Sequence, residues 1–191
     1  MPATEQRQAA PSVTHSIAGY SSARNSRSDH VALVGVAPPA PEVEYGWIVC
    51  GGRIGHKGAY RIARFDEKPS HAVAEQPFRG GGLWNTFISA ARAEVFWEVA
   101  RRHLPLHVTA LERFAHAIGG PSEAVALDAA YGAMPPANFS HDVLAHTRSL
   151  AVLPVAGTGW SDWGSPKRVF ASLAGTPNHD RLVERIRGTA A

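Results

Sequence analysis

Apolar residues along this chain come in short blocks, separated by glycine, proline and charged positions. The first block is Val31-Ala32-Leu33-Val34-Gly35-Val36. Its length and β-branched content predict a buried strand, ended by Pro38-Pro39. Tyr45 to Cys50 predicts a second strand. Gly51-Gly52 to Gly58 predicts a turn and Tyr60 to Phe65 a returning strand, which together make a hairpin. Thr86 to Ala90 predicts a further short strand. The period then lengthens. Ala91 to His103 places Val95, Phe96, Val99 and Ala100 on one helix face, and Pro105 stops that helix. Leu111 to Ile118 repeats the pattern up to Gly119-Gly120, and Pro121-Ser122 opens a helix to about Tyr131. Ser140 is expected to cap a helix from His141 to Arg148, with Asp142 in its first turn. Leu150 to Val155 predicts a strand, and Pro166 starts a last core helix through Leu173. Strands mixed with helices predict an α/β fold.

Composition adds boundaries to this pattern. Residues 1–28 are Ser-rich and polar and read as an unpacked lead-in; 29–175 carry the folded domain; 176–191 form a polar tail expected to make a short exposed helix. At 191 residues the chain is long enough for one domain with its own core. Apolar residues at 45% and charged residues at 18% suit a soluble globular protein. Nineteen Lys+Arg against 16 Asp+Glu leave +3, too mild a charge, with no basic run, to argue for nucleic acid. The one cysteine, Cys50, excludes an internal disulfide, fits a reducing compartment, and in a strand reads as core rather than nucleophile. No apolar run has the length of a membrane span, and the first residues lack the pattern of a secretory signal. The expected location is cytoplasmic.

Three segments carry candidate chemistry. Phe65-Asp66-Glu67-Lys68-Pro69 ends a strand, where open α/β sheets place ligand groups. Pro69 biases Lys68 toward an extended backbone, and strand alternation would send Glu67 and Lys68 to opposite sides unless the chain has already turned. The same residues also suit a solvated ion pair in a loop. Trp84-Asn85 follows Gly80 to Gly82. Glycines let backbone approach a ligand, and an Asn amide can serve sugar hydroxyls, though a turn with an Asx cap and a core Trp fits equally. In Trp160-Ser161-Asp162-Trp163-Gly164 the carboxylate suits Mg²⁺ beside a phosphate, or an N-cap for the Pro166 helix. Other patterns fall away. Gly52-x-x-Gly55-x-x-Gly58 has the wrong spacing for a dinucleotide fingerprint, and Trp163 stands where a nucleophile elbow around Ser161 needs glycine. Pro105 separates His103 from His107, and His141 and His146 are five apart, off a common helix face. His141-Asp142 is similar to the metal-binding pair of phosphohydrolases, without identifiable further ligands.

The ordered set Glu44-Tyr45-Gly46-Trp47-Ile48, Phe65-Asp66-Glu67-Lys68-Pro69, Leu83-Trp84-Asn85, Asn138-Phe139-Ser140-His141-Asp142 and Gly159-Trp160-Ser161-Asp162-Trp163-Gly164 resembles the sugar-phosphate nucleotidyltransferases, above all the mannose-1-phosphate guanylyltransferases. Leu33 to Pro38 fits as the strand before the Tyr-Gly segment. The resemblance covers about residues 29–175. It implies a Rossmann-like nucleotidyltransferase fold, a mixed sheet flanked by helices. It implies transfer of a nucleotidyl group from an NTP (GTP) to a sugar 1-phosphate (mannose 1-phosphate), giving GDP-mannose and pyrophosphate, with Mg²⁺ as cofactor. By resemblance Gly46 offers backbone contact to the sugar, Glu67 accepts from sugar hydroxyls, Asn85 contacts the sugar, Lys68 holds its phosphate, and Asp162 binds Mg²⁺.

The chain also departs from that pattern. The family's opening strand and glycine-rich Arg/Lys loop, which grip the nucleotide, have no counterpart in it, nor does a second metal-binding Asp. The family's Trp-Asn-Ser-Gly reads Trp84-Asn85-Thr86-Phe87, which leaves the sugar preference open. The fold is therefore expected to be incomplete at its N-terminal side, with an exposed inner strand edge favouring oligomers. Two readings stand: a nucleotidyltransferase that is inactive alone, or a non-catalytic remnant or regulatory partner of a full-length paralogue. A His-Asp phosphohydrolase is the third.

Overall fold

The computed structural model describes residues 29–55 and 58–189; residues 1–28, the expected lead-in, 56–57 and 190–191 lie outside the described residues. Five strands form one mixed sheet: β1 (Val31–Val36), β2 (Trp47–Ile54), β3 (Ala59–Asp66), β4 (Leu83–Ala90) and β5 (Leu150–Val155). Their order is β1-β4-β2-β3-β5, and β5 returns to β1, so the sheet curls until its ends meet. Strands β1 and β5 run parallel. The other pairings are antiparallel, including the short closing contact of Tyr60 and Arg61 with Val152 and Ala151. The helices are α1 (His71–Arg79), α2 (Ala93–His103), α3 (Pro105–Ala115), α4 (Glu123–Ala133), α5 (Pro166–Leu173) and α6 (Pro177–Thr189). The chain divides into two compact units, one ending at Ala156 and containing the whole sheet, the other beginning at Gly157 and containing α5 and α6.

Strand alternation builds the core. On one face of β1, Val31 and Leu33 join Ile48, Phe65, Leu83, Leu150 and Val152, covered by Val95 and Val99 of α2 and by Val143 and Leu144. On the other face Ala32 meets Ala59 and Leu153. All six residues of β1 are buried. That corrects the expectation of an exposed inner edge: β1 has β4 on one side and β5 on the other, because closure of the sheet supplies the missing neighbour.

Other boundaries move for local reasons. Gly51 and Gly52 belong to β2 rather than to the hairpin turn, where register shifts between Cys50 and Arg53 absorb them. Helix α1 was not predicted, since Pro77 interrupts its pattern; Pro77 is buried there, and burial outweighs the lost backbone bond. Pro105 both ends α2 and supplies the first turn of α3, where proline's missing N–H is harmless. Cys50 packs partly buried against the core and burial raises its thiol pKa, in keeping with a structural role.

Strand β4 starts at Leu83, so Trp84 and Asn85 are buried strand residues and not a loop. It then bulges. Between the pairs Leu33–Ser89 and Gly35–Asn85, the single residue Val34 of β1 faces three of β4, Thr86 to Ile88. Thr86 pins the bulge: its Oγ1 donates to Val34 O at 2.8 Å and accepts from Ile88 N at 3.3 Å. Thr86 is 5% exposed, so Thr86→Val would remove the buried bond to Val34 O and the bond from Ile88 N. The expected loss is about 1–3 kcal/mol of stability, read by denaturant unfolding.

Candidate functional site

Four segments of the first unit meet at one place. The end of β3 is anchored by Phe65, 8% exposed in the core. The strand stops at Asp66, which pairs with Arg64 at 2.7 Å. At Lys68 the backbone is left-handed, with φ of 43°, not extended as Pro69 alone would suggest. The chain reverses there to enter α1, and a left-handed residue turns it within one step. This reversal removes the strand alternation that would separate Glu67 from Lys68. Lys68 is exposed, and its charge favours the ionised form of Glu67.

Gly46, just before β2, lies against the same carboxylate. A Cβ on Gly46 would stand 2.8 Å from Glu67 Oε2, 2.9 Å from Phe65 Cζ and 3.4 Å from Asn85 Cβ. Only glycine leaves room for this close approach. Gly46 O also accepts from Asn85 N at 2.8 Å, which ties the two segments together. Gly46, Glu67 and Asn85 are thus neighbours across three strands, although 39 residues separate the outer two in sequence.

Sequence reasoning missed the fourth segment as part of the site. Ser140 is not a helix cap. Asn138 is: its Oδ1 accepts from His141 N at 3.0 Å. A single wide turn follows over Phe139–Val143, then a tight one over Leu144–His146. The reason is packing. Val143 and Leu144 are 0% and 2% exposed, and drawing both into the core widens the turn. Ser140 is left buried beneath it, near enough to the Glu67 carboxylate that its hydroxyl favours the ionised form. The polar run Asn138 to Asp142 was the visible signal, but not its direction. Asp142 locks the turn, its Oδ2 accepting from Asn138 N and its Oδ1 meeting His141 Nδ1, both at 2.7 Å. The His141 bond, followed by the Asn138 N–H, holds the Asp142 carboxyl below its usual range. The turn also brings the His141 and His146 rings to 6.3 Å, which helical spacing would not. No group of three or more His, Cys, Asp or Glu able to hold a metal occurs among the described residues.

Glu67 is the electrostatic centre of the cluster. Burial raises its pKa, against the opposing pull of Lys68, the Ser140 hydroxyl and His141. A raised folded-state value means that the stability contribution is complete below about pH 4 and is lost as pH rises through that value. At neutral pH the ionised, half-buried Glu67 therefore costs stability. Glu67→Gln is expected to match the wild-type Tm at pH 4 and exceed it at pH 7. A difference that is flat from pH 4 to 7 would contradict that assignment.

Asp162 lies in the second unit. Its carboxylate contacts Arg168 Nη1 at 3.1 and 3.4 Å and accepts from Gly164 N at 3.1 Å. It does not cap α5; Ser165 does, accepting from Arg168 N. One carboxylate already held by a guanidinium does not fit a ready-made Mg²⁺ site.

Two clefts, of about 330 and 410 Å³, border the wide and the tight turn, and neither is lined by Glu67, Lys68 or Asn85. The chain resembles known proteins across most of its length. The family model described as nucleotidyl transferase matches residues 18–176. The mannose-1-phosphate guanylyltransferase RfbM of Salmonella typhimurium is 29% identical over 156 residues, 81% of this chain and 31% of the relative. The xanthan biosynthesis protein XanB of Xanthomonas campestris pv. campestris is 31% identical over 133 residues, 69% of this chain and 28% of the relative. A solved structure of mannose-1-phosphate geranyltransferase from Thermus thermophilus superposes with a TM-score of 0.56 at 34% identity, covering 66% of this chain and 35% of that one. The chain spans less than a third of the length of these curated relatives. No described helix is long and apolar enough to cross a membrane.

Proposed function

The chain belongs to the nucleotidyl transferase family, and on that premise we propose that it carries the sugar-phosphate side of a nucleotidyl transfer, with mannose 1-phosphate as acceptor and GTP as donor. The observation that carries this reading is the meeting of Gly46, Glu67 and Asn85 beside Lys68. The naming of relatives as mannose-1-phosphate guanylyltransferases supports the choice of sugar.

In the proposed reaction an oxygen of the sugar phosphate attacks the α-phosphorus of the triphosphate. One P–O bond forms, the bond to the pyrophosphate leaving group breaks, and GDP-mannose results. Little covalent work falls to side chains in such a transfer; positioning and charge neutralisation dominate. Ionised Glu67 can only accept, so it suits sugar hydroxyls as donors. The Ser140 hydroxyl favours the ionised form of that carboxylate. Asn85 can donate and accept on the same ring. The Lys68 ammonium neutralises the sugar's phosphate, which eases approach of one anion to another. Mg²⁺ would bring charge neutralisation to the triphosphate. Asp162, whose carboxylate Arg168 already holds, is not assigned to it.

Titration calorimetry with mannose 1-phosphate tests the site directly. Saturable binding that weakens in Asn85→Ala is expected; no heat from the wild-type chain would overturn the reading. Pyrophosphate release from GTP and mannose 1-phosphate then separates a chain that turns over alone from one that works only with another copy or a paralogue.

A further inference from the structure

Phe87 combines three properties that core packing does not explain. Its φ is 62°, in the left-handed region that a bulky side chain adopts at a cost. Its residue is 65% exposed, so little burial offsets that cost. And the strain is held in place: Thr86 fixes the bulge on one side of it, while Phe87 N donates to Asn85 Oδ1 at 3.2 Å on the other. A strained, exposed aromatic that its surroundings over-determine is a mark of function. Bulges recur beside active sites because they re-aim a side chain.

The ring packs beside the fourth segment. Its centroid lies 6.4 Å from that of Phe139, edge to face. Phe139 precedes the buried Ser140 in the fourth segment of the site. Phe87 is thus bonded through its backbone to one proposed sugar contact and packed against the segment that carries Ser140. Its own ring stays open to solvent.

We infer that Phe87 is a specificity-determining residue of the sugar subsite, an aromatic platform for the C–H face of the sugar ring of a sugar 1-phosphate. This rests on the proposed function. Polar groups of Glu67 and Asn85 would take the hydroxyls, and the ring would take the apolar face between them. Sites for small molecules commonly pair an apolar wall with a few orienting polar groups. Aromatic rings present a negative face that attracts the polarised C–H groups of a sugar.

The test measures two ligands and one melting temperature on wild type, Phe87→Gly and Phe87→Trp. Phe87→Gly is expected to bind mannose 1-phosphate roughly threefold to tenfold more weakly. Its affinity for inorganic phosphate should stay within about twofold, since the ring meets the sugar and not the phosphate. Its Tm should equal or exceed that of wild type, because glycine relieves the left-handed backbone. Phe87→Trp should retain mannose 1-phosphate binding. Unchanged mannose 1-phosphate binding by Phe87→Gly overturns the inference. So does an equal loss for both ligands, or a fall in Tm, which would make the ring a packing element. If Lys68→Ala weakens both ligands while Phe87→Gly weakens neither, only the platform fails and the proposed function stands. If wild type binds no mannose 1-phosphate, both fail.

Discussion

Lys68→Ala is expected to weaken mannose 1-phosphate binding by roughly 10- to 100-fold, the worth of a charge-assisted hydrogen bond to phosphate. Lys68 is exposed and outside any helix or strand, so its removal should leave Tm nearly unchanged. The effect has a second part. The Lys68 charge is the largest influence opposing the burial that raises the Glu67 pKa. Without it Glu67 holds its proton to higher pH and loses capacity to accept from sugar hydroxyls. The defect should therefore deepen as pH falls toward the raised Glu67 pKa. Affinity should also lose salt sensitivity, because the main charge partner of the phosphate is gone. Lys68→Arg tests geometry: a planar fork replaces a compact ammonium, and partial recovery is expected. Calorimetry across pH and salt reads all of this. Wild-type affinity in Lys68→Ala would remove Lys68 from the site.

Gly46→Ala is the other large effect, on stability and binding together. The added methyl would meet Glu67 Oε2 at 2.8 Å and Phe65 Cζ at 2.9 Å. The carboxylate, at the end of a flexible side chain, would have to swing aside. The Phe65 ring belongs to the core, 8% exposed, and has little freedom to yield. Overpacking of this kind costs about 1–3 kcal/mol, which for a domain of this size is a fall of roughly 2–12 °C in Tm. Mannose 1-phosphate binding should fall with it, since Glu67 is displaced. A double mutant identifies the cause. In a Glu67→Ala background the Gly46→Ala penalty should shrink, because one of the two clashes has gone. An unchanged penalty would place the whole clash on Phe65, and a wild-type Tm in the single variant would refute the close contact.

Much of the scaffold was legible. The Val31 and Leu150 blocks read as buried strands because both faces of β1 and β5 are covered, which makes a continuous apolar run. Helix α2 announced itself through Val95 and Val99. The site was legible in parts. Gly46, Glu67 and Asn85 were each singled out, and the structure brings them together. Their contact was not visible, since it depends on strand order and on the turn at Lys68. Ser140 was assigned to the wrong task, because a serine before a polar run signals a cap, and only the burial of Val143 and Leu144 turns it inward. Phe87 stood out as a departure from the Trp-Asn-Ser-Gly pattern. Its left-handed backbone, which gives the departure meaning, exists only once β4 bulges against β1.

The sequence by itself determined which segments would be strands and helices, through periodicity, and which side chains had chemistry suited to a sugar phosphate. Tertiary structure decided what meets what. Closure of the sheet covered the edge that the isolated strand pattern left open, because β1 could pair on both sides at once. Packing of the wide turn chose the partner of Glu67, because two apolar residues had to reach the core and carried a buried serine with them. Periodicity is a property of neighbours along the chain, whereas closure, clash and burial arise between residues brought together from far apart.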